Sequence, residues 1–296
     1  MKVKELSEIP PWDWPNDAAD LVLDALTNRN ASPEDRLTAS ELAGEEVILT
    51  EKLVDALLNI VKSRKEPDDL RSRAAIALGP ALELVEYEDY NDPYDPMALT
   101  EPFVKKMQPA LRQLYLDTEV PKDVRRSVLE ASVRNPQEWH TAAVRSAYAR
   151  DDEGWRITSV FCMRYVKGFE DEILTCLKSK DCDTLYNAVV AAGNWELDAA
   201  WPTIARLVRD DRTEKDLRIA AIKAVASIRP TDTDILEPLI DAYDEDISEA
   251  AMDAISEASF AESLDSEDED DDFEDDDLDD VDDEDYEDDD DEDEKK

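Results

Sequence analysis

Side chains able to carry catalysis are few and scattered in this sequence. The one histidine, His140, lies in Glu138-Trp139-His140 with no second His or Cys at ligand spacing. Zinc sites and Cys-His or Ser-His-Asp nucleophile schemes therefore lack their parts. The three cysteines, Cys162, Cys176 and Cys182, show no CxxC spacing and leave an odd number. That pattern points to reduced structural thiols, with Cys162 in Val160-Phe161-Cys162-Met163 packed in a core. Neither GxGxxG nor a Walker-type phosphate loop occurs. Carboxylate pairs abound, but among 78 acidic residues their proximity carries no information. The sequence predicts a protein that is not an enzyme and holds no cofactor and no metal.

Chemistry suited to binding is plentiful. The formal charge is -45 in 296 residues. About 25 acids lie between Asp265 and the end, against Lys295 and Lys296 alone, so roughly half the charge sits in little more than a tenth of the chain. With only Phe273, Leu278, Val281 and Tyr286 as larger apolar groups, residues 263–296 are expected to form a disordered acidic tail. Phe273 and Tyr286 would give such a tail rings with which to hold a cationic protein surface. Tyr87, Tyr90 and Tyr94 stand among acids in LVEYEDYNDPYDPMALTEP, where they either grip a basic groove or cover adjacent helices. Glu101 to Lys180 is close to neutral, and its Lys105, Lys106, Lys122, Arg126, Arg134, Arg145 and Arg150 would make a basic patch for the tail to dock on.

The elements that position these groups repeat. Pro202, Ile204, Leu207 and Asp210 follow Pro-x-apolar-x-x-apolar-x-x-Asp, with Arg218 eight residues after the Asp. Pro109, Leu111, Leu114, Asp117 and Arg125 write the same pattern 93 residues earlier, three steps of about 31. Pro238, Ile240, Tyr243 and Asp246 write its first half again. Periods in this range mean stacked helical hairpins. Helices are expected from Asp17 to Thr27, capped by Asn16, and from Thr50 to Val61, with one apolar stripe each. Others follow to Ile235–Tyr243 and to a capping helix, Ile247 to Phe260, with Ile247, Ala251, Ile255 and Phe260 inward. The domain reading is an extended lead-in over 1–16, a helical repeat domain over 17–262 with a loop insertion at about 84–102, and the tail. Five glycines suit helices joined by short turns.

Leu or Val followed by Arg at the head of an alanine-rich helix, after a helix with an early proline and a closing Asp, resembles the HEAT repeat of the armadillo type. The short variety found in phycobilisome lyase proteins is included. The resemblance covers roughly Pro33 to Ala261, about six hairpins plus capping helices, and is ragged at Gly154-Trp155-Arg156 and Thr184-Leu185-Tyr186. It implies an all-α, right-handed α-solenoid whose second helices line a concave surface. It also implies an inter-repeat ladder, for which Asp117 with Arg125 and Asp210 with Arg218 hold the matching positions.

The functional expectation is a protein–protein interaction scaffold with a protein partner. The alternative is an acidic-tail chaperone or shield for a basic, nucleic-acid-binding protein. Direct nucleic-acid binding is not expected, because the repeats are themselves acidic on balance. No run of about 18 apolar residues and no signal-type leader occurs, so a soluble, cytoplasmic protein is expected.

Overall fold

The computed structural model describes residues 2–84, 99 and 101–267, with side chains described for all of these except 101, 102, 104 and 262–267. Within them every regular element is helical. In chain order these are α1 (Val3–Leu6), α2 (Ala18–Thr27), α3 (Pro33–Leu42), α4 (Glu51–Lys62), α5 (Asp68–Ile76), α6 (Gly79–Glu83), α7 (Glu101–Leu116) and α8 (Lys122–Ser132). Then come α9 (Glu138–Tyr148), α10 (Glu153–Cys162), α11 (Glu170–Cys176), α12 (Cys182–Asn194), α13 (Trp201–Arg209), α14 (Lys215–Ile228) and α15 (Glu245–Glu267).

Consecutive helices pack as hairpins: α2 on α3, α4 on α5, α7 on α8, α9 on α10, α11 on α12 and α13 on α14. The second helices form a continuous row, α3, α5, α8, α10, α12, α14 and α15, each touching the next. The fold is an all-α solenoid. The second helices begin where the chemistry of helix ends dictates. Ser32 accepts the backbone N–H of Asp35 at 3.0 Å, Asp152 that of Trp155 at 3.1 Å and Asp181 that of Thr184 at 2.8 Å. Small residues face each other where the row is tightest. A Cβ on Gly193 of α12 would lie 3.2 Å from the Cβ of Ala224 on α14, so a side chain there would push the two helices apart.

The lead-in, expected to be extended, instead forms helical turns at Val3–Leu6 and Pro11–Asp13. Val3 and Leu6 form one helical turn and are buried, and Trp14 Nε1 donates to the carbonyls of Leu6 at 3.1 Å and Ile9 at 3.0 Å. This apolar turn covers the first hairpin, whose open side would otherwise face water. A second difference lies at the other end. Ile235–Tyr243 is not an α-helix: Pro230–Ile235 and Glu237–Leu239 are 3-10 turns. Pro230 and Pro238 lack the N–H that a continuous α-helix would use. Ile240 and Tyr243 are therefore exposed, although they match the apolar positions of the repeat. Phe260 is 65% exposed, on the solvent side of α15.

The arginines of the repeat hold their own hairpin together. Arg36, Arg71, Arg125 and Arg218 each aim Nε at the carbonyl ten residues earlier, of Leu26, Val61, Tyr115 and Val208, at 3.2, 3.0, 2.7 and 3.0 Å. Those carbonyls belong to the last turn of the first helix, where no intrahelical donor is left and the helix dipole is negative. Each arginine thus caps the helix its own helix packs on. The paired acids do something else. Asp117 accepts the Glu119 N–H and, at 3.0 Å, the guanidinium of Arg64 from the preceding hairpin. Asp210 binds Arg212 locally at 3.2 Å, and Arg218 turns instead to Asp211 at 2.8 Å.

Further contacts join residues about one repeat apart, and Arg36 takes part in both kinds. Arg36 meets Glu66 at 2.6 Å, Lys122 meets Asp152 at 3.0 Å, and Trp195 Nε1 donates to the Met163 carbonyl at 2.6 Å. Because partners near the starts of α8 and α10 and after the ends of α10 and α12 are both in register, successive second helices run in the same direction. Arg71→Met should cost about 1 to 3 kcal/mol in urea unfolding, since it strands the Val61 carbonyl in the interior. Arg212→Met, with a side chain 91% exposed, should fall within about 0.5 kcal/mol of the parent. Equal losses at the two sites would refute the capping role.

Candidate functional site: a groove over the second helices

The start of the second-helix row carries a groove of about 710 Å³, lined by Glu41 of α3, by Asp68, Asp69, Ser72, Arg73, Ile76 and Ala77 of α5 and its end, and by Asp123 and Ser127 of α8. Ile76 is its apolar centre, 40% exposed on a helix whose other apolar residues are buried. Its position follows from the packing: Leu70, Ala74 and Ala75 take the buried side of α5, which leaves Ile76 turned to the opening. Acids rim the groove. Arg73 forms an ion pair with Glu41, and Arg71 holds Asp68 at 3.1 Å, while Asp69 accepts only the N–H of Leu70 at 2.8 Å among the bonds of the described residues. The Ser72 hydroxyl oxygen, buried in the groove wall, has no hydrogen-bond partner among the described residues. Asp123 is held by Arg126 at 3.3 Å, so Asp69 is the groove carboxylate without an ion pair among the described residues, and beside the apolar anchor it suits a cationic segment with one aliphatic side chain.

Further along the row the chemistry changes. Arg126 bridges α8 to α10, donating to Thr158 Oγ1 at 3.0 Å, and Thr158 donates to Glu130. Burial pushes the Glu130 carboxyl above its ordinary range despite that bond and the nearby guanidinium of Arg126. Beyond it, Arg134 reaches across Gly79 to Glu83 at 2.7 Å. Only glycine leaves that path open, since a Cβ there would come within 2.7 Å of the Arg134 Nε.

The expected basic patch is not one surface. Lys105, Lys106, Arg145 and Arg150 belong to the first-helix side and Lys122, Arg126 and Arg134 to the second. Several are engaged already: Lys122 with Asp152, Arg134 with Glu83, Arg145 over the Phe169 ring and Arg150 over Trp155. Tyr87, Tyr90, Tyr94, Phe273 and Tyr286 lie outside the described residues. The three thiols are free; Cys162 and Cys176 are buried, which raises both thiol pKa values, and Cys182 is exposed. Among the described residues no group of His, Cys, Asp and Glu is placed to hold a metal, and no helix is long and apolar enough to cross a membrane.

No family model matches this chain, and no curated protein does. Solved structures do. Its structural neighbours are HEAT-like repeat proteins. The structure of human deoxyhypusine hydroxylase in complex with glycerol aligns at 15% identity and a TM-score of 0.39, over 84% of this chain and 87% of that one. The complex of CpcE and CpcF of phycocyanin lyase from Nostoc aligns at 16% and 0.41, over 85% and 98%. Kap95p, from a structure of its binding to RanGDP, aligns at 14% and 0.40, over 86% and 43%. At such identities the likeness concerns the fold. The comparison corrects one expectation. A hydroxylase and a lyase are enzymes, so helical repeats of this kind do carry catalysis elsewhere, and the expectation that this chain is no enzyme does not stand.

Ile76 was not among the residues that sequence reasoning singled out. A signal for it exists in the register of the repeat. The residue five after the helix-start arginine is Glu41, Ile76, Glu130 and Lys223 in the four units that keep the arginine. Ile76 is the one apolar residue at a position that is charged in the other three units.

Proposed function

We propose that the chain is a protein-interaction scaffold that receives a basic segment of a protein partner in the groove over α3, α5 and α8. The observation that supports this reading is the exposed Ile76, set between Asp68, Asp69, Glu41 and Asp123 on three successive helices. The rigid row supplies a preorganised surface, the isoleucine an anchor, and the acids attraction and register for cations. Fold alone does not assign a partner, so the groove carries the reading.

The reading is tested by affinity capture from the extract of the cells that make the protein, using the full chain and the Ile76→Glu variant. Placing a carboxylate where an aliphatic anchor should bury removes about 1.5 to 3 kcal/mol of apolar burial, a loss of roughly tenfold or more in affinity. At least one protein retained by the parent is expected to be lost by the variant while the helical spectrum is unchanged. An identical captured set would overturn the reading.

A further inference from the structure

On an acidic chain, the end of α10 and the turn after it are cationic and aromatic. From Gly154 to Gly168 there are three basic residues, Arg156, Arg164 and Lys167, and no acid. Phe161 and Tyr165 stand with ring centroids 5.6 Å apart, both half-buried. The Arg164 guanidinium lies 5.1 Å from the Phe161 centroid and 5.7 Å from that of Tyr165, and Lys167 Nζ lies 5.3 Å from the centroid of Trp195. Arg134 is within 5.9 Å of Phe161 but is taken by Glu83. Arg164 and Lys167 have no ion pair among the described residues, and Arg164 Nε, though buried, has no hydrogen-bond partner there. Cations fixed over rings without a counter-ion are prepared for an anionic ligand that also brings an apolar group.

The place of this patch in the fold points to the ligand. Arg164 and Lys167 follow the end of α10 and Trp195 the end of α12. Arg229 after α14 meets Asp198 after α12 at 2.8 Å, and Lys215 at the start of α14 meets Asp244 and Asp246 at the start of α15, so α15 also ends on this edge, and the chain continues from Glu267 for another 29 residues, of which 23 are acidic. From α15 to α10 is three interhelix steps, about 30 Å at 8 to 10 Å each. Six extended residues reach only about 20 Å, too short for Phe273, whereas 19 residues reach about 60 Å, ample for Tyr286.

We propose that the patch of Phe161, Arg164, Tyr165 and Lys167 docks the chain's own C-terminal segment, with the stretch around Tyr286 on the patch. Acids on either side of that residue pair with Arg164 and Lys167, and the tyrosine extends the cluster of rings. Tethering makes the contact intramolecular, so weak pairings suffice. A segment held here is kept away from external cations until one competes for it.

The test uses the full chain, labelled with 15N, and a synthetic peptide of residues 268–296 as the free reference. At low salt the amide shifts of residues 278–290 are expected to differ from those of the peptide, and to converge with them at about 0.5 M salt, where screening falls to a few Å. The double variant Arg164→Gln, Lys167→Gln should shrink the low-salt differences at least threefold. Lys167→Gln alone, on an exposed side chain, should shrink them in part and guards against a misfolded double variant. Shifts equal to those of the peptide at low salt would overturn the proposal. So would differences that survive both variants, which place the segment elsewhere. Signals of residues 85–98 responding to the variants in place of 278–290 would give the patch to that acidic stretch and likewise overturn it.

Discussion

Trp155→Ala is expected to destabilise the chain by about 3 to 5 kcal/mol, the range for removing a large aromatic side chain from a packed interior. Trp155 is only 2% exposed and stands where the regular repeat has Leu or Val before the arginine. It joins two successive hairpins. Tyr115 of α7 meets it edge-on at 6.1 Å, Arg150 after α9 lies 4.5 Å from its ring, and Arg125 of α8 lies 5.8 Å away. The same Arg125 binds the Tyr115 carbonyl, so the tryptophan packs on the hairpin lock of the preceding unit. In a stacked array most stabilisation comes from the next unit, and a cavity here separates the first half from the second. Urea unfolding should therefore show a lower midpoint and a broadened or split transition. Trp12→Ala, at a side chain 79% exposed, should change stability by no more than about 0.5 kcal/mol. Comparable losses for both would contradict this account of the core.

Lowering the pH from 7 to 5.5 is expected to remove about 1 to 1.5 kcal/mol of stability through one residue, His140. Its imidazole is fully buried, stacked on Trp139 at 3.8 Å between ring centroids. Nδ1 accepts the Gln137 backbone N–H at 2.8 Å, which leaves the ring proton on Nε2, facing Ser132 Oγ at 3.0 Å. The Ser132 hydroxyl in turn donates to the Leu129 carbonyl at 3.1 Å. A second ring proton has no acceptor, and burial lowers the pKa from 6.5 to about 4. Because the folded pKa lies below the unfolded one, the unfolded chain takes up the proton first. The neutral ring's contribution is complete above about pH 6.5 and is lost as the pH falls toward 4, about 3 kcal/mol in all. Burial raises the Glu130 pKa, which acts with the opposite sign, so the difference between the parent and His140→Asn isolates the histidine. The single imidazole resonance is a direct check. It should stay unshifted to pH 5, and a midpoint near 6.5 would refute the buried neutral ring.

Hairpins were legible in the sequence because their determinants are local. A proline and acids at a helix start, an apolar stripe and a closing polar turn are each read within a dozen residues. The recurrence of Arg71, Arg125 and Arg218 was visible for the same reason, but their partners were not. The resemblance suggested bridges from Asp117 and Asp210 between units, whereas the nearest unsatisfied groups are carbonyls ten residues back, in the same hairpin. The register between units depends on side chains some 30 residues apart, such as Arg36 with Glu66, which nothing local marks. At Pro238 the pattern was present and the α-helix was not, since two prolines eight residues apart outweigh the apolar spacing. The site was read from residue type, which drew notice to tyrosines among acids. Ile76 escaped because, within Ala74-Ala75-Ile76-Ala77-Leu78, it looks like core, and only the helix register turns it outward.

Amide hydrogen exchange of the full chain, with and without the partner captured by it, tests the scaffold reading most directly. Slowed exchange is predicted over 68–77 and 122–130, the walls of the groove, with Ile76→Glu abolishing it. Protection confined to the first helices, or to residues beyond 135, would contradict the assignment of this groove as the partner's seat.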